Sequence, residues 1–342
     1  MPNQSTPSLP TFTDVAEAAR RIAPLIKKTP LIESSLLNQW FGHRIVFKAE
    51  CFQTTGAFKL RGATNVLAQL HEQDMLPDRV VANSSGNHAQ AVACAASRFS
   101  LPVTIYAGNT ISPIKAAATR AYGAELKLFA TRNEADDAVR EAAREPGTLW
   151  IPPYNHPAII AGQGTAALEA LEELGSADAV FAPCGGGGLL SGTLLATREL
   201  CPDASVIGAE PHAANDAAQS LQRGEIVRLS SPPKTLADGA ATPSVGEFTF
   251  PFLQQLDDFY EVDEQQICYW TQWLHHLTKL HIEPTCAMTM AAVAAWAVNT
   301  PPGKTALVIL SGGNISAASM QALWEQDYLS QPPIIAEQGI QE

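Results

Sequence analysis

Asp178-Ala179-Val180-Phe181-Ala182-Pro183-Cys184-Gly185-Gly186-Gly187-Gly188 is the stretch on which the reading of this chain turns. Residues 178–182 form a short, mainly apolar run of the buried-strand type, and residues 189–198 carry helical spacing, with four consecutive glycines between them. A glycine loop between a strand and a helix exposes several backbone N–H groups beside the positive end of the helix dipole, which suits a phosphate dianion. The competing reading is a turn, or close backbone packing. The spacing does not satisfy G-x-G-x-x-G, so a dinucleotide fingerprint is not supported.

Outward from this stretch, strands and helices alternate. Strands are predicted at 44–50, 79–82, 103–106, 125–129, 149–151, 206–209 and 306–310. Helices are predicted at 12–26, with Thr13 as N-cap, and at 58–69, 88–99, 113–122, 134–144 and 161–174. The alternation argues an α/β architecture of mainly parallel open sheets flanked by helices. Residues 1–11 read as disordered, and 287–298 as a buried helix too short to span a bilayer.

The chain has 342 residues, 46% of them hydrophobic, enough for two lobes and a substantial core. A net charge of -12 argues against nucleic-acid binding. The N-terminus carries no signal-peptide pattern, and no membrane partner is expected. Six scattered cysteines without a CxxC pair read as reduced thiols of a cytoplasmic protein, not as a zinc site.

Three further segments bear chemistry. Lys59 stands in Thr55-Gly56-Ala57-Phe58-Lys59-Leu60-Arg61-Gly62-Ala63; alone it is most simply a solvated lysine. Ser84-Ser85-Gly86-Asn87-His88 opens a predicted helix and offers N–H and hydroxyl groups to a carboxylate, or merely caps the helix. Ser311, in Ser311-Gly312-Gly313-Asn314, follows an apolar strand and can share a hydrogen bond with an uncharged pyridine nitrogen. Together these supply the amine, polar loop, phosphate cradle and hydroxyl that a pyridoxal 5′-phosphate (PLP) site requires. Glu210 and Asp216, with intervening carbonyls, suit Mg²⁺ or Ca²⁺, although spacing alone favours a solvated loop. Gly303-Lys304-Thr305 is no P-loop, since Val298 stands where the first glycine belongs.

From Thr29-Pro30-Leu31 to Ser311-Gly312-Gly313-Asn314, these segments in this order resemble the serine/threonine dehydratase and serine racemase family of fold-type II PLP enzymes, which are tryptophan synthase β-like. Phe47-Lys48-Ala49-Glu50, Pro152-Pro153-Tyr154, Ala161-Gly162-Gln163-Gly164-Thr165, Leu236-Ala237-Asp238-Gly239 and Glu283-Pro284-Thr285 also match. The resemblance implies a large PLP-binding domain of residues 1–78 and 154–342 and a small mobile domain of 79–153. Lys59 would carry the cofactor as a Schiff base and act as base at Cα. Phe58 and Gly239 would flank the ring, Asn87 would bond its 3′-oxygen, Gly185, Gly186, Gly187 and Gly188 would hold the phosphate, and Ser311 would face the pyridine nitrogen. Ser84, Ser85, Asn87 and His88 would surround the substrate carboxylate. Glu210, the Ala214 carbonyl and Asp216 would bind Mg²⁺ (or Ca²⁺ or Mn²⁺).

The resemblance also implies a homodimer, and an activity that converts L-serine or L-threonine to pyruvate or 2-oxobutanoate plus ammonia. No C-terminal regulatory extension is expected. Ala57 stands where many relatives have serine, and Thr54 where the nucleotide-responsive racemases have lysine, so nucleotide activation is not carried over. Ser85 matches the racemases, in which a serine can reprotonate Cα on the face opposite the lysine. A third reading, 3-hydroxyaspartate dehydratase, needs a cation for the second carboxylate, and Gly239 to Ser244 offers none. A non-catalytic PLP-binding scaffold is the reading of a different class.

Overall fold

The computed structural model describes residues 8–335. The disordered stretch expected at 1–11 lies partly outside these residues; from Phe12 the chain is helical. Ten strands run in chain order: β1 Leu31–Glu33, β2 Arg44–Ala49, β3 Arg79–Asn83, β4 Val103–Gly108, β5 Glu125–Phe129, β6 Thr148–Trp150, β7 Ala179–Pro183, β8 Ser205–Pro211, β9 Asp258–Val262 and β10 Thr305–Leu310. They form a six-stranded sheet, β1-β2-β10-β7-β8-β9, and a four-stranded sheet, β5-β4-β3-β6. Every pairing is parallel except β1 with β2, where Leu31 faces Lys48.

Parallel strands need helices over both faces, so their central strands are apolar on both sides. β7 is buried throughout, and its alternate residues enter different cores. Val180 joins Val46, Val206 and Leu307 under the Phe12–Ile22, Pro157–Leu174 and Gly188–Leu200 helices. Phe181 joins Phe47, Ile207 and Val308 on the opposite face, under Glu264–Thr278 and Thr289–Val298. In the smaller sheet Val80, Ala82 and Ile105 pack with the Lys59–Glu72 and Asn87–Arg98 helices. Val81 and Tyr106 face Val139 of the Arg132–Ala142 helix.

The sequence reading is corrected in several places. Thr11, not Thr13, caps the first helix, and its N–H donates to Asp14 at 2.7 Å. The expected 287–298 helix is two pieces, Pro284–Ala287 and Thr289–Val298, and Val298 is exposed. β9 and the Glu264–Thr278 helix were not predicted. No helix among the described residues is long and apolar enough to cross a membrane, and all six cysteines are free.

The Pro157–Leu174 and Gly188–Leu200 helices touch backbone to backbone, so the helix behind the glycine loop is fixed against the body of the protein. A Cβ on Gly192 would lie 2.5 Å from the Gly164 Cα and 2.6 Å from the Ile160 carbonyl. Because only backbone could yield, Gly192→Ala is expected to destabilise by about 1–3 kcal/mol. The measurement is the urea midpoint at constant slope; an unchanged midpoint would show that the helices separate freely.

Candidate active site

Lys59 is the first residue of the Lys59–Glu72 helix. The turn before it is stitched to the loop after β10: Phe58 N–H donates to the Ser311 carbonyl at 3.0 Å, and Gly313 N–H to the Gly56 carbonyl at 2.9 Å. Ala57, wholly buried, bridges to Gly312 through its backbone. These bonds bring Lys59 and Ser311 to one cleft of about 280 Å³.

Ser84 to His88 reach the same cleft from the end of β3, and Gly185 to Gly188 from the end of β7. Both sheets thus present the carboxyl ends of their strands to one gap, where ligands of such sheets bind. Phe58 and Gly239 line it as well. The structure therefore gathers every residue singled out for cofactor or substrate, and separates from them Glu210, Ala214 and Asp216, which lie beyond the end of β8.

The Lys59 Nζ donates to the Pro153 carbonyl at 2.6 Å and lies 5.0 Å from the centre of the Phe58 ring. No carboxylate pairs with it among the described residues, and burial lowers its pKa to about 7. Burial thus favours the neutral amine, the form in which it acts as a nucleophile or base. His88 is neutral too. Burial and the neighbouring Lys59 bring its pKa to about 3, and Nε2–H donates to the Ile151 carbonyl at 2.8 Å.

The glycine loop answers both of its sequence readings. A Cβ on Gly186 would strike the Tyr154 ring at 2.3 Å, one on Gly188 would meet Gln163 at 2.4 Å, and Gly187 has φ +91°. Close packing thus requires glycine here. The same backbone course leaves the N–H groups of Gly185, Gly186 and Gly187 without an acceptor among the described residues, at the mouth of the Gly188–Leu200 helix. Buried N–H groups seldom stay unpaired, and an anion in the cleft would satisfy them. The Ser311 hydroxyl, almost buried, likewise bonds no described residue. Asn87 is already engaged: its amide donates to Glu283 at 2.9 and 3.0 Å and accepts from Asn314 at 2.9 Å.

Sequence reasoning missed Lys115, Arg132 and Asp136 around the cleft, and gave Asp238 and Glu283 no role. Lys115 and Arg132 come from helices of the smaller sheet, and Asp136, Asp238 and Glu283 complete the set. Lys115 pairs with Asp238 at 2.8 Å. Arg132 donates to the Ala241 carbonyl at 3.1 Å and pairs with no carboxylate among the described residues. It stands at the first position of its helix, where the dipole disfavours a cation.

The solvated loop that spacing favoured for Glu210 and Asp216 is in fact buried, at 1% and 0% exposure. Glu210 accepts from the N–H groups of Ala217 and Ala218 at 3.2 and 2.7 Å. Asp216 has both oxygens buried and unbonded. Burial raises Asp216 to about 7, and burial with the nearby Asp216 raises Glu210 to about 9, against the pull of neighbouring N–H groups. No group of three His, Cys, Asp or Glu side chains gathers here or at any other place among the described residues.

Residues 22–312 match the model of the family described as pyridoxal-phosphate dependent enzyme. The L-threo-3-hydroxyaspartate ammonia-lyase of Saccharomyces cerevisiae is 43% identical over 90% of this chain and 94% of its own. The serine racemase of Schizosaccharomyces pombe is 40% identical over 90% and 95%. The threonine deaminase of T.th. superposes with a TM-score of 0.84 at 42% identity, covering 90% of this chain and 99% of that one. These likenesses bear out the expected fold-type II architecture. With an amine poised near neutrality and unpaired N–H groups in the same cleft, they establish that the chain belongs to the pyridoxal-phosphate dependent enzyme family.

Proposed function

We propose that the protein is an ammonia-lyase of β-hydroxy amino acids, forming pyruvate from L-serine and 2-oxobutanoate from L-threonine, with serine racemisation as a second activity. The observation that carries this reading is the meeting of a near-neutral Lys59 amine, the Ser84–His88 turn and the unpaired glycine N–H groups in one cleft. Relatives named L-threonine ammonia-lyase, at 39% identity, and serine racemase, at 38–40%, support it.

Lys59 Nζ would attach the cofactor, Gly185 to Gly188 would hold its phosphate, Ser311 would face its ring nitrogen, and Phe58 and Gly239 would bound the ring. Asn87 would reach its 3′-oxygen while remaining anchored to Glu283. When bound, PLP supplies the sink for the electron pair left at the substrate's Cα. The backbone and hydroxyls of Ser84 and Ser85, with Asn87 and His88, orient the substrate carboxylate at the start of the Asn87–Arg98 helix. Lys59 Nζ removes the Cα proton. The β-hydroxyl leaves as water and one water is regained, so the net products are a keto acid and ammonia. For racemisation, the Ser85 hydroxyl returns a proton to Cα from the other face.

A second reading is favoured by Arg132. The distal cation sought in Gly239 to Ser244 enters the cleft from the other sheet. An Arg without a carboxylate suits the second carboxylate of 3-hydroxyaspartate.

The unbonded Asp216 oxygens fit a divalent cation held with Glu210 and the Ala214 carbonyl, and Mg²⁺ is proposed there, with Ca²⁺ or Mn²⁺ as substitutes. A homodimer, a cytoplasmic setting and a mobile 79–153 lobe complete the reading.

Cofactor-free protein should capture PLP at a rate that rises with pH through a midpoint near 7, because the attacking amine is the neutral form and burial lowers its pKa. Stopped-flow absorbance reads this; Lys59→Ala should show no covalent capture, and a midpoint near 10 would overturn the account. In a time course with PLP and Mg²⁺, L-serine, L-threonine and L-threo-3-hydroxyaspartate are compared for keto-acid and D-serine formation. Ser85→Ala should reduce D-serine by about 10²-fold or more, as loss of a general acid does, and pyruvate far less. Equal losses would remove Ser85 from the proton path, and no keto acid from any substrate would sink the lyase reading. Chelation should lower Tm by several degrees and Mg²⁺ restore it, with the response lost in Asp216→Asn; a Tm indifferent to both would exclude the ion site.

A further inference from the structure

Lys115 and Asp238 form the one ion pair across the cleft among the described residues. Lys115 rises from the Pro113–Ala121 helix beside the smaller sheet, whereas Asp238 opens the short 3-10 turn Asp238–Ala240 that contains Gly239. Their atoms meet at 2.8 Å, with the lysine side chain only 7% exposed and the aspartate 52%. Both residues line the cleft. Asp238 and Lys115 are close enough to Glu283 to act on its charge in opposite senses, and Glu283 holds Asn87 of the substrate turn.

The asymmetry of this pair carries the inference. A cation withdrawn from water depends on an anion beside it. Its anion, by contrast, is half solvated and has no other side-chain partner among the described residues. The other two carboxylates of the cleft are committed: Asp136 accepts from Asn83 at 2.5 Å, and Glu283 from Asn87 and the Asn314 N–H. Asp238 therefore stands to Lys115 as a second carboxylate of a bound substrate would.

We propose that Asp238 is a specificity-determining residue: its carboxylate occupies Lys115 and repels a substrate's distal carboxylate, biasing the cleft toward substrates with neutral side chains. This inference deepens the lyase reading and rests on it for the choice of substrates. Arg132 remains the open cation, and an acidic substrate must displace or tolerate Asp238 to use Lys115 as well.

The test compares PLP-loaded wild type with Asp238→Asn, Asp238→Glu, Lys115→Gln and the Asp238→Asn/Lys115→Gln double variant. The readout is kcat/KM for L-threo-3-hydroxyaspartate relative to L-serine. Asp238→Asn should raise this ratio by about tenfold or more, the scale of one charged hydrogen bond gained. Asp238→Glu, which keeps the anion, should leave the ratio within about twofold of wild type, and the rise should vanish in the double variant if it runs through Lys115. Lys115→Gln alone, leaving Asp238 unpaired, should lower the ratio.

A second readout needs no turnover. Calorimetry on cofactor-free protein should show succinate binding about tenfold tighter in Asp238→Asn, with butanoate unchanged. An unchanged ratio and unchanged succinate affinity in Asp238→Asn would overturn the proposal and leave the pair as a clasp between the two sides of the cleft. Wild type inactive on both substrates would overturn the lyase reading alone, and the succinate titration would then decide the role of Asp238.

Discussion

Arg61 lies two residues beyond Lys59, wholly buried, with its guanidinium forked onto two carboxylates. Glu50 accepts from it at 2.7 and 2.8 Å, and Glu169 accepts twice at 2.8 Å. Lys48, also buried, reaches Glu169 at 2.8 Å and the Thr29 carbonyl at 2.7 Å. Burial opposes the charge on Arg61, but Glu50 and Glu169 outweigh it and hold the pKa above the ordinary value. Two cations and two anions balance, and the five guanidinium N–H groups of Arg61 are all used, the fifth by Thr165. Removing one partner of such a set strands a charge and costs about 3–5 kcal/mol. The network joins the chain around β1, the end of β2, the start of the Lys59–Glu72 helix and the Pro157–Leu174 helix. It thereby fixes where Lys59 begins.

That fixed start matters because the lysine has so few other restraints. Its amine has one hydrogen bond, to a carbonyl, and no counter-ion among the described residues. A charged partner would hold it protonated, so its position must come from backbone. The Arg61 network supplies one anchor, and the stitched loops of Gly56 to Phe58 and Ser311 to Gly313 supply the other. Electrostatic neutrality at the amine and rigidity behind it are two sides of one arrangement.

The sequence was legible wherever local pattern and burial agree. β5 was placed at its observed bounds, and the remaining predicted strands to within a few residues, because their apolar runs end at glycine, proline or polar turns. β9 and the Glu264–Thr278 helix escaped notice. The strand is a half-exposed edge, and the helix is rich in aromatic and β-branched residues of modest helical propensity. It is stabilised instead by packing, with Trp270 and Trp273 set edge-on against Phe41 and Trp40. The cofactor set was readable because its main pieces fall at the end of a strand or the start of a helix. Arg132 was not, because the guanidinium that reaches Ala241 comes from 109 residues away, a distance no local pattern spans.

Glu210 and Asp216 show the same limit from the other side, since spacing cannot reveal burial. Burial otherwise favours the protonated form of both acids, unlike the Arg61 network, where every charge has an opposite. The Cys184 thiol, raised by burial and by the charges of these two acids, directly precedes Gly185. On the reading proposed here, a divalent cation plays for the end of β8 the part that Arg61 plays for the end of β2. It would supply the missing positive charge, draw Asp216 and Glu210 together, and brace the strand next to the loop whose N–H groups await the phosphate. The site then rests on two buried charge clusters, one behind the amine and one beside the glycine loop, with the reacting groups between them left free of any fixed counter-charge.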